Sequence, residues 1–151
     1  IRLNSKLNKT YISYGALGAA KMQQQSAQDS NAMEMEEVVA VKRAVSKSSR
    51  LYTNSSWDLV DASKEEDFDI DEVEKDQLPM ELKGKSKTEI ASYIEKKKKE
   101  RRDIQKEIQD LNSKREAYIA SQRKENEKGE LENAMLSAIQ KQAAKKSYRW
   151  E

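Results

Sequence analysis

With 151 residues the chain is sized for one domain rather than two. Charged residues make up 37% and hydrophobic ones 36%, too little apolar material for one compact core, while net charge is only +2. Cysteine and histidine are both absent, which excludes disulfides, thiolate chemistry, zinc–thiolate sites and the commonest general base.

One Pro and four Gly favour helix over sheet. Periodic placement of the apolar residues argues against disorder. The expected fold class is mainly α, an elongated helical assembly with a narrow core. No apolar run approaches the roughly 20 residues that span a bilayer. The chain opens on Ile1 rather than Met, as a processed product or excised fragment would, so no compartment follows from a missing signal peptide.

In chain order, residues 1–17 read as a short helical end and an extended piece, Thr10 to Gly15, with no second strand to pair with. They are expected to be the stub of an upstream domain. Residues 18–63 hold short helices. Ala19 to Met33 is polar and Ala/Gln-rich, and Glu34 to Leu51 carries a broader apolar face with Met35, Val38, Val39, Val41, Val45 and Leu51. Ser55 is placed to cap a short helix through Trp57, Leu59, Val60 and Ala62. Residues 64–85 form an acidic linker and turn, dotted with Phe68, Ile70 and Val73 and closed by Leu78-Pro79 and Gly84.

Ser86-Lys87-Thr88-Glu89 is a capping-box pattern that starts a long helix over about 86–124. Its apolar seam is Ile90, Ile94, Ile104, Ile108, Leu111, Tyr118 and Ile119. Asn126 to Gly129 reads as a break, followed by a helix over about 130–146 with Leu131, Met135, Leu136, Ile139 and Ala143 on one face. The two are expected to fold back as an antiparallel hairpin spanning 86–146, with 147–151 as a tail.

Heptad reading of the seam puts Lys97, Arg101, Arg115 and Gln122 at core positions, too many polar residues for an autonomous homodimeric coiled coil. An intramolecular hairpin with cationic stems lying over the seam is preferred, although a homo-oligomer stays open. Lys96 to Lys99 with Arg101 and Arg102 resembles a nucleic-acid patch, but the cations circle the axis, alternate with Glu95, Glu100 and Asp103, and lack an aromatic stacking platform. They read as a solvated face, and nucleic acid is not the expected partner. The neighbouring acidic segment is expected to match them by charge, lying along the first half of the long helix. Asp67, Asp69 and Asp71 imitate a calcium loop, but Glu72 and Leu78 stand where Gly and a bidentate Glu belong. No nucleophile elbow, phosphate loop or metal motif is present, so the chain is read as not an enzyme, with no catalytic, cofactor or metal residue. Tyr11, Tyr14, Trp57 and Trp150 read as packing anchors. The residues expected to carry packing or interaction are Trp57, Ile90, Ile94, Ile104, Ile108, Leu111, Tyr118, Leu131, Met135 and Ile139.

Several strings go beyond pattern. Leu7 to Gly15 (Leu-Asn-Lys-Thr-Tyr-Ile-Ser-Tyr-Gly) resembles the end of the von Willebrand factor A (VWA) domain in a group of bacterial proteins. Ser46 to Ser49, Asn54 to Ala62, Leu78 to Gly84, Ile104 to Ile108 and Gly129 to Ala134 resemble the helical extension that follows it there. The resemblance implies a non-enzymatic helical scaffold or protein-interaction module attached to a VWA-like domain, with a protein partner. It also favours a periplasmic or extracellular location. A divalent cation would belong to the upstream domain, because Asp61-Ala62-Ser63-Lys64-Glu65 lacks the second Ser of the Asp-x-Ser-x-Ser motif. The alternative is a nucleic-acid- or ribosome-associated coiled-coil protein using residues 96–102. A third option, a cytoskeletal or secretion-chaperone hairpin, predicts stable self-association.

Overall fold

The computed structural model describes residues 1–145. The expected tail 147–151, Trp150 and the end of the last expected helix at Lys146 lie outside the described residues. The chain is mainly α, and its only strand-like pairing among the described residues is one antiparallel bridge, Ser13 with Asp58. It divides into two units, Ile1–Asp110 and Leu111–Glu151.

The first unit contains α1 (Arg2–Asn8), α2 (Gly18–Met35), α3 (Glu37–Lys47), the single turn α4 (Leu59–Ala62), two 3-10 turns (Ile70–Glu72 and Lys75–Gln77) and the opening of α5 (Lys87–Lys145). Glu36, extended at φ −160° and ψ 146°, breaks the helix between α2 and α3 and lets them pack on each other. Asp58 rather than Ser55 caps α4, because its carboxylate accepts the Asp61 amide. α3 ends at Lys47, so Leu51 leaves the expected helical face and stands 93% exposed. Gly84 takes φ +78°, the left-handed conformation that a residue without Cβ tolerates best, just before α5 begins. There the capping box forms: Ser86 Oγ accepts the Glu89 amide, and Glu89 accepts the Ser86 amide.

Two apolar clusters lie along the start of α5. Ile90 and Ile94 join Ile12, Leu59, Val60, Leu78 and Leu82, with Phe68, Ile70 and Val73 packed at the edge. Ile108 joins Leu7, Tyr11 and Trp57, with Ile104 and Val45 beside them. The acidic segment is thus seated by its three apolar residues. Among the described residues its charge match to α5 is confined to Lys87, which pairs with Asp69 and Asp71. The lysines farther on answer to their own helix instead, Lys97 to Glu100 and Lys98 to Glu95.

Residues 7–14 pack within the first unit. The extended piece finds its partners inside this chain, since the Tyr14 amide donates to the Trp57 carbonyl and the Leu59 amide to the Ile12 carbonyl. Leu7, Thr10 and Ile12 are among the most deeply buried residues of the unit.

In the second unit the described residues are the remainder of α5. The expected break at Asn126–Gly129 is a correction: α5 runs unbroken from Lys87 to Lys145. A lone Gly costs a helix only about 1 kcal/mol, and Asn and Glu beside it are compatible with helix, so nothing forces a turn. Among the described residues α5 has no turn at which the antiparallel hairpin expected over 86–146 would fold back.

Candidate functional site

The first unit is organised around Arg101. It sits seven residues beyond Ile94 on the apolar seam of α5, between the two clusters, and is only 2% exposed. Its Nη1 donates to Asp58 at 2.6 Å and to Asp61 at 3.1 Å. Its Nε donates to the Thr10 hydroxyl at 3.0 Å, and its Nη2 to the Thr10 carbonyl at 2.8 Å and again to Asp58. The guanidinium plane lies 4.2 Å from the centre of the Tyr11 ring, which stacks on Trp57. Asp58 also accepts the Ile12 amide at 2.7 Å. One arginine therefore ties α5 to α4 and to the extended piece Thr10–Ile12. Burial pushes the Asp58 carboxyl above the ordinary aspartate range, while the Arg101 hydrogen bonds and charge and the Ile12 amide oppose that push. Burial likewise raises the Tyr11 phenol.

A second polar knot joins the first three helices. Asp29 of α2 accepts from Asn4 and Asn8 of α1 and pairs with Lys47 and Arg43 of α3. The Lys47 side chain is fully buried. Burial alone would raise Asp29, but hydrogen bonds from Lys47, Asn8 and Arg43 outweigh it and hold the carboxyl below its usual value. Burial draws the Lys47 ammonium down, against its pairing with Asp29.

Outside these knots, a half-open groove of about 920 Å³ runs beside α5 in the first unit. Arg50, Lys64, Lys98, Arg101, Arg102 and Lys106 line it, with no carboxylate in the lining. Lys64 and Lys98 have acidic partners, and Arg50, Arg102 and Lys106 have none within 4 Å among the described residues. So part of the run 96–102 does share one face with other cations, contrary to an even spread around the axis. No aromatic side chain lines this groove.

Of the expected packing residues, Trp57, Ile90, Ile94 and Ile108 are buried and Ile104 is partly buried. Leu111 and Tyr118 are exposed. Leu131, Met135, Leu136 and Ile139 are 51–62% exposed on the continuous α5 helix. Arg101, Asp58, Asp61, Lys47 and Asp29 were not among the expected residues. A cation standing in register on an apolar seam, together with two carboxylates at i and i+3 after Trp57, was the available signal for the first knot. Nothing local marks the second.

The buried carboxylates Asp58 and Asp61 are engaged by Arg101, and among the described residues no group of three or more His, Asp or Glu is arranged to hold a metal ion. Asp69 of the calcium-like string accepts the Asp71 amide and pairs with Lys87. Among the described residues no helix is long and apolar enough to cross a membrane. No family model matches the chain, and neither a curated protein nor a solved structure does.

Proposed function

We propose that this chain is a non-enzymatic helical scaffold that binds a protein through the second unit. The observation carrying this reading is a division of labour. The polar side chains best placed for chemistry in the first unit are consumed in internal knots, whereas Leu131, Met135, Leu136 and Ile139 of the second are left more than half exposed. Four large apolar side chains on one stretch of helix gain free energy when a partner covers them. The resemblance to the extension of bacterial VWA proteins supports the same reading and would make the chain an attachment to such a domain, in a periplasmic or extracellular setting. The clamp on Thr10–Ile12 would then fix the entry of the chain into the scaffold.

The test is a photo-crosslinking residue at position 136 of the protein in its host cell. A discrete protein adduct is expected, and it should vanish when Ile139 is changed to Glu. Absence of any adduct overturns the reading.

The cationic groove favours a second reading, binding of a polyanion such as single-stranded RNA. Without an aromatic platform, affinity would rest on phosphate contacts and fall steeply with salt. Retention of a labelled single-stranded RNA at about 50 mM salt, lost when Arg50, Arg102 and Lys106 become Ala, would support it. No retention at that salt removes it.

A further inference from the structure

The knot around Asp29 sets an amine, a carboxylate and a primary amide in mutual contact. Lys47 Nζ donates to the Asn8 side-chain carbonyl at 2.5 Å and to Asp29 Oδ2 at 2.7 Å. The same Oδ2 accepts from Asn8 Nδ2 at 2.7 Å. One carboxylate oxygen therefore touches both the amine and the nitrogen that this amine could displace. Arg43 holds the other oxygen and so orients the carboxylate. Asn4 also donates to Oδ2, at 2.9 Å, but its own carbonyl oxygen has no partner, so Asn8 is the amide that the lysine addresses. The Lys47 side chain has no exposed surface, and these two acceptors are its hydrogen-bond partners among the described residues. An ammonium brings three N–H donors and a neutral amine two, so the site satisfies the neutral amine in full. The Tyr11 ring, centred 5.8 Å from Nζ, adds cover.

We infer that Lys47 and Asn8 join in an intramolecular isopeptide bond, with Asp29 as the catalytic proton carrier. Asp29 Oδ2 takes a proton from the Lys47 ammonium, and the freed amine attacks Asn8 Cγ to give a tetrahedral adduct. Asp29 passes that proton to Nδ2 and takes a second one from Nζ. The Cγ–Nδ2 bond breaks as the carbonyl re-forms, and the departing ammonia carries the second proton away as ammonium. The product is a secondary amide between Nζ and Cγ, and no oxidant or further reactant is consumed. Holding the two groups in contact supplies the proximity such a step needs. Burial draws the Lys47 ammonium toward the neutral amine, while the hydrogen bonds that Asp29 receives outweigh its own burial and keep its carboxyl charged. Protonated Asp29 is therefore short-lived. The freshly folded chain carries the ion pair, and the bond accumulates with time. Asn8 ends α1 and Lys47 ends α3, so the bond closes a covalent loop over residues 8–47 in a chain without cysteine. The step happens once within its own chain, without turnover, and does not depend on the protein-binding reading.

The test is the mass of the whole chain after days in the folded state. The chain should fall short of its sequence mass by one ammonia. Tryptic digestion should then yield a branched peptide joining Leu7–Lys9 to Ala44–Arg50, uncut after Lys47. A chain that keeps its sequence mass overturns the inference. So does the same loss without the branched peptide, as a succinimide at an asparagine would give. Lys47→Arg keeps a cation in the knot but cannot lose its proton to become a nucleophile. It should hold its helix content and its full sequence mass, and a loss of ammonia there would place the reaction elsewhere and overturn the inference. Asp29→Ala should stay unlinked, and a branched peptide from that variant would overturn the role given to Asp29.

Discussion

Arg101 and Asp58 are joined by two hydrogen bonds, 2.6 Å from Nη1 and 3.2 Å from Nη2, across a site closed to water on both sides. The pair unites residues 43 positions apart and also closes on Thr10 and Asp61. The first unit therefore depends on one cation placed where a helix seam would ordinarily carry an aliphatic residue.

Arg101→Lys is expected to destabilise the first unit by about 3–5 kcal/mol. Lysine offers one point charge instead of a planar fork and leaves Asp58 or Thr10 unpaired in the interior. Urea unfolding followed by far-ultraviolet dichroism measures it. A loss below about 1 kcal/mol would mean that the fork is dispensable.

Asp29→Asn should cost about 3 kcal/mol at neutral pH, since it strands the buried Lys47 ammonium. Arg43→Ala should cost less, because Arg43 is 22% exposed and water replaces part of what it loses. The acid dependence follows from the lowered carboxyl of Asp29. A depressed folded value contributes stability above the unfolded pKa, about 3.9, and loses it as pH falls through the lower folded value. The gap between the native chain and Asp29→Asn should therefore close below about pH 4 in unfolding curves taken across that range.

Ile94→Ala and Ile139→Ala should part company although the two residues lie on one helix. Ile94 is buried, and its truncation is expected to cost about 2–5 kcal/mol. Ile139 is 51% exposed, and at submicromolar protein its truncation should change stability by no more than about 0.5 kcal/mol. Chemical denaturation of both variants at low concentration decides the matter.

Gly129→Ala should raise helix content and stabilise the second unit by about 0.5–1 kcal/mol. Gly129 lies inside α5, and a Cβ there meets nothing within 4 Å. A turn at residues 126–129 would give the opposite sign. Hydrogen exchange of the amides from 125 to 133 provides a local readout beside dichroism.

Local chemistry makes much of the helical architecture readable along the chain. The Ser86–Glu89 capping box marks the start of α5, Pro79 keeps Leu78 extended, and the spacing of Ile90, Ile94, Ile104 and Ile108 predicts a face that packs. The turn expected at 126–129 failed because Asn and Gly mark turns only by small propensities, which an otherwise helical stretch overrides. The candidate site was less legible. The run Lys96 to Arg102 reads as cations spread around the helix, but Lys98, Arg101 and Arg102 share one groove with Arg50 and Lys64, which reach it from elsewhere in the chain.

By itself the sequence determined that this chain is helical, lacks the side chains of thiol and imidazole chemistry, and carries one long helix with a seam along it, because these follow from composition and from spacing within a few turns. Only the tertiary structure decided that Arg101 is a buried hub rather than a flaw in the seam, that Thr10–Ile12 is paired within the chain, and that Leu131 to Ile139 remain uncovered. Those outcomes depend on which distant segments meet. A charge can enter an apolar interior only when carboxylates and carbonyls from several segments converge on it, and an apolar face counts as core only when another segment arrives to cover it.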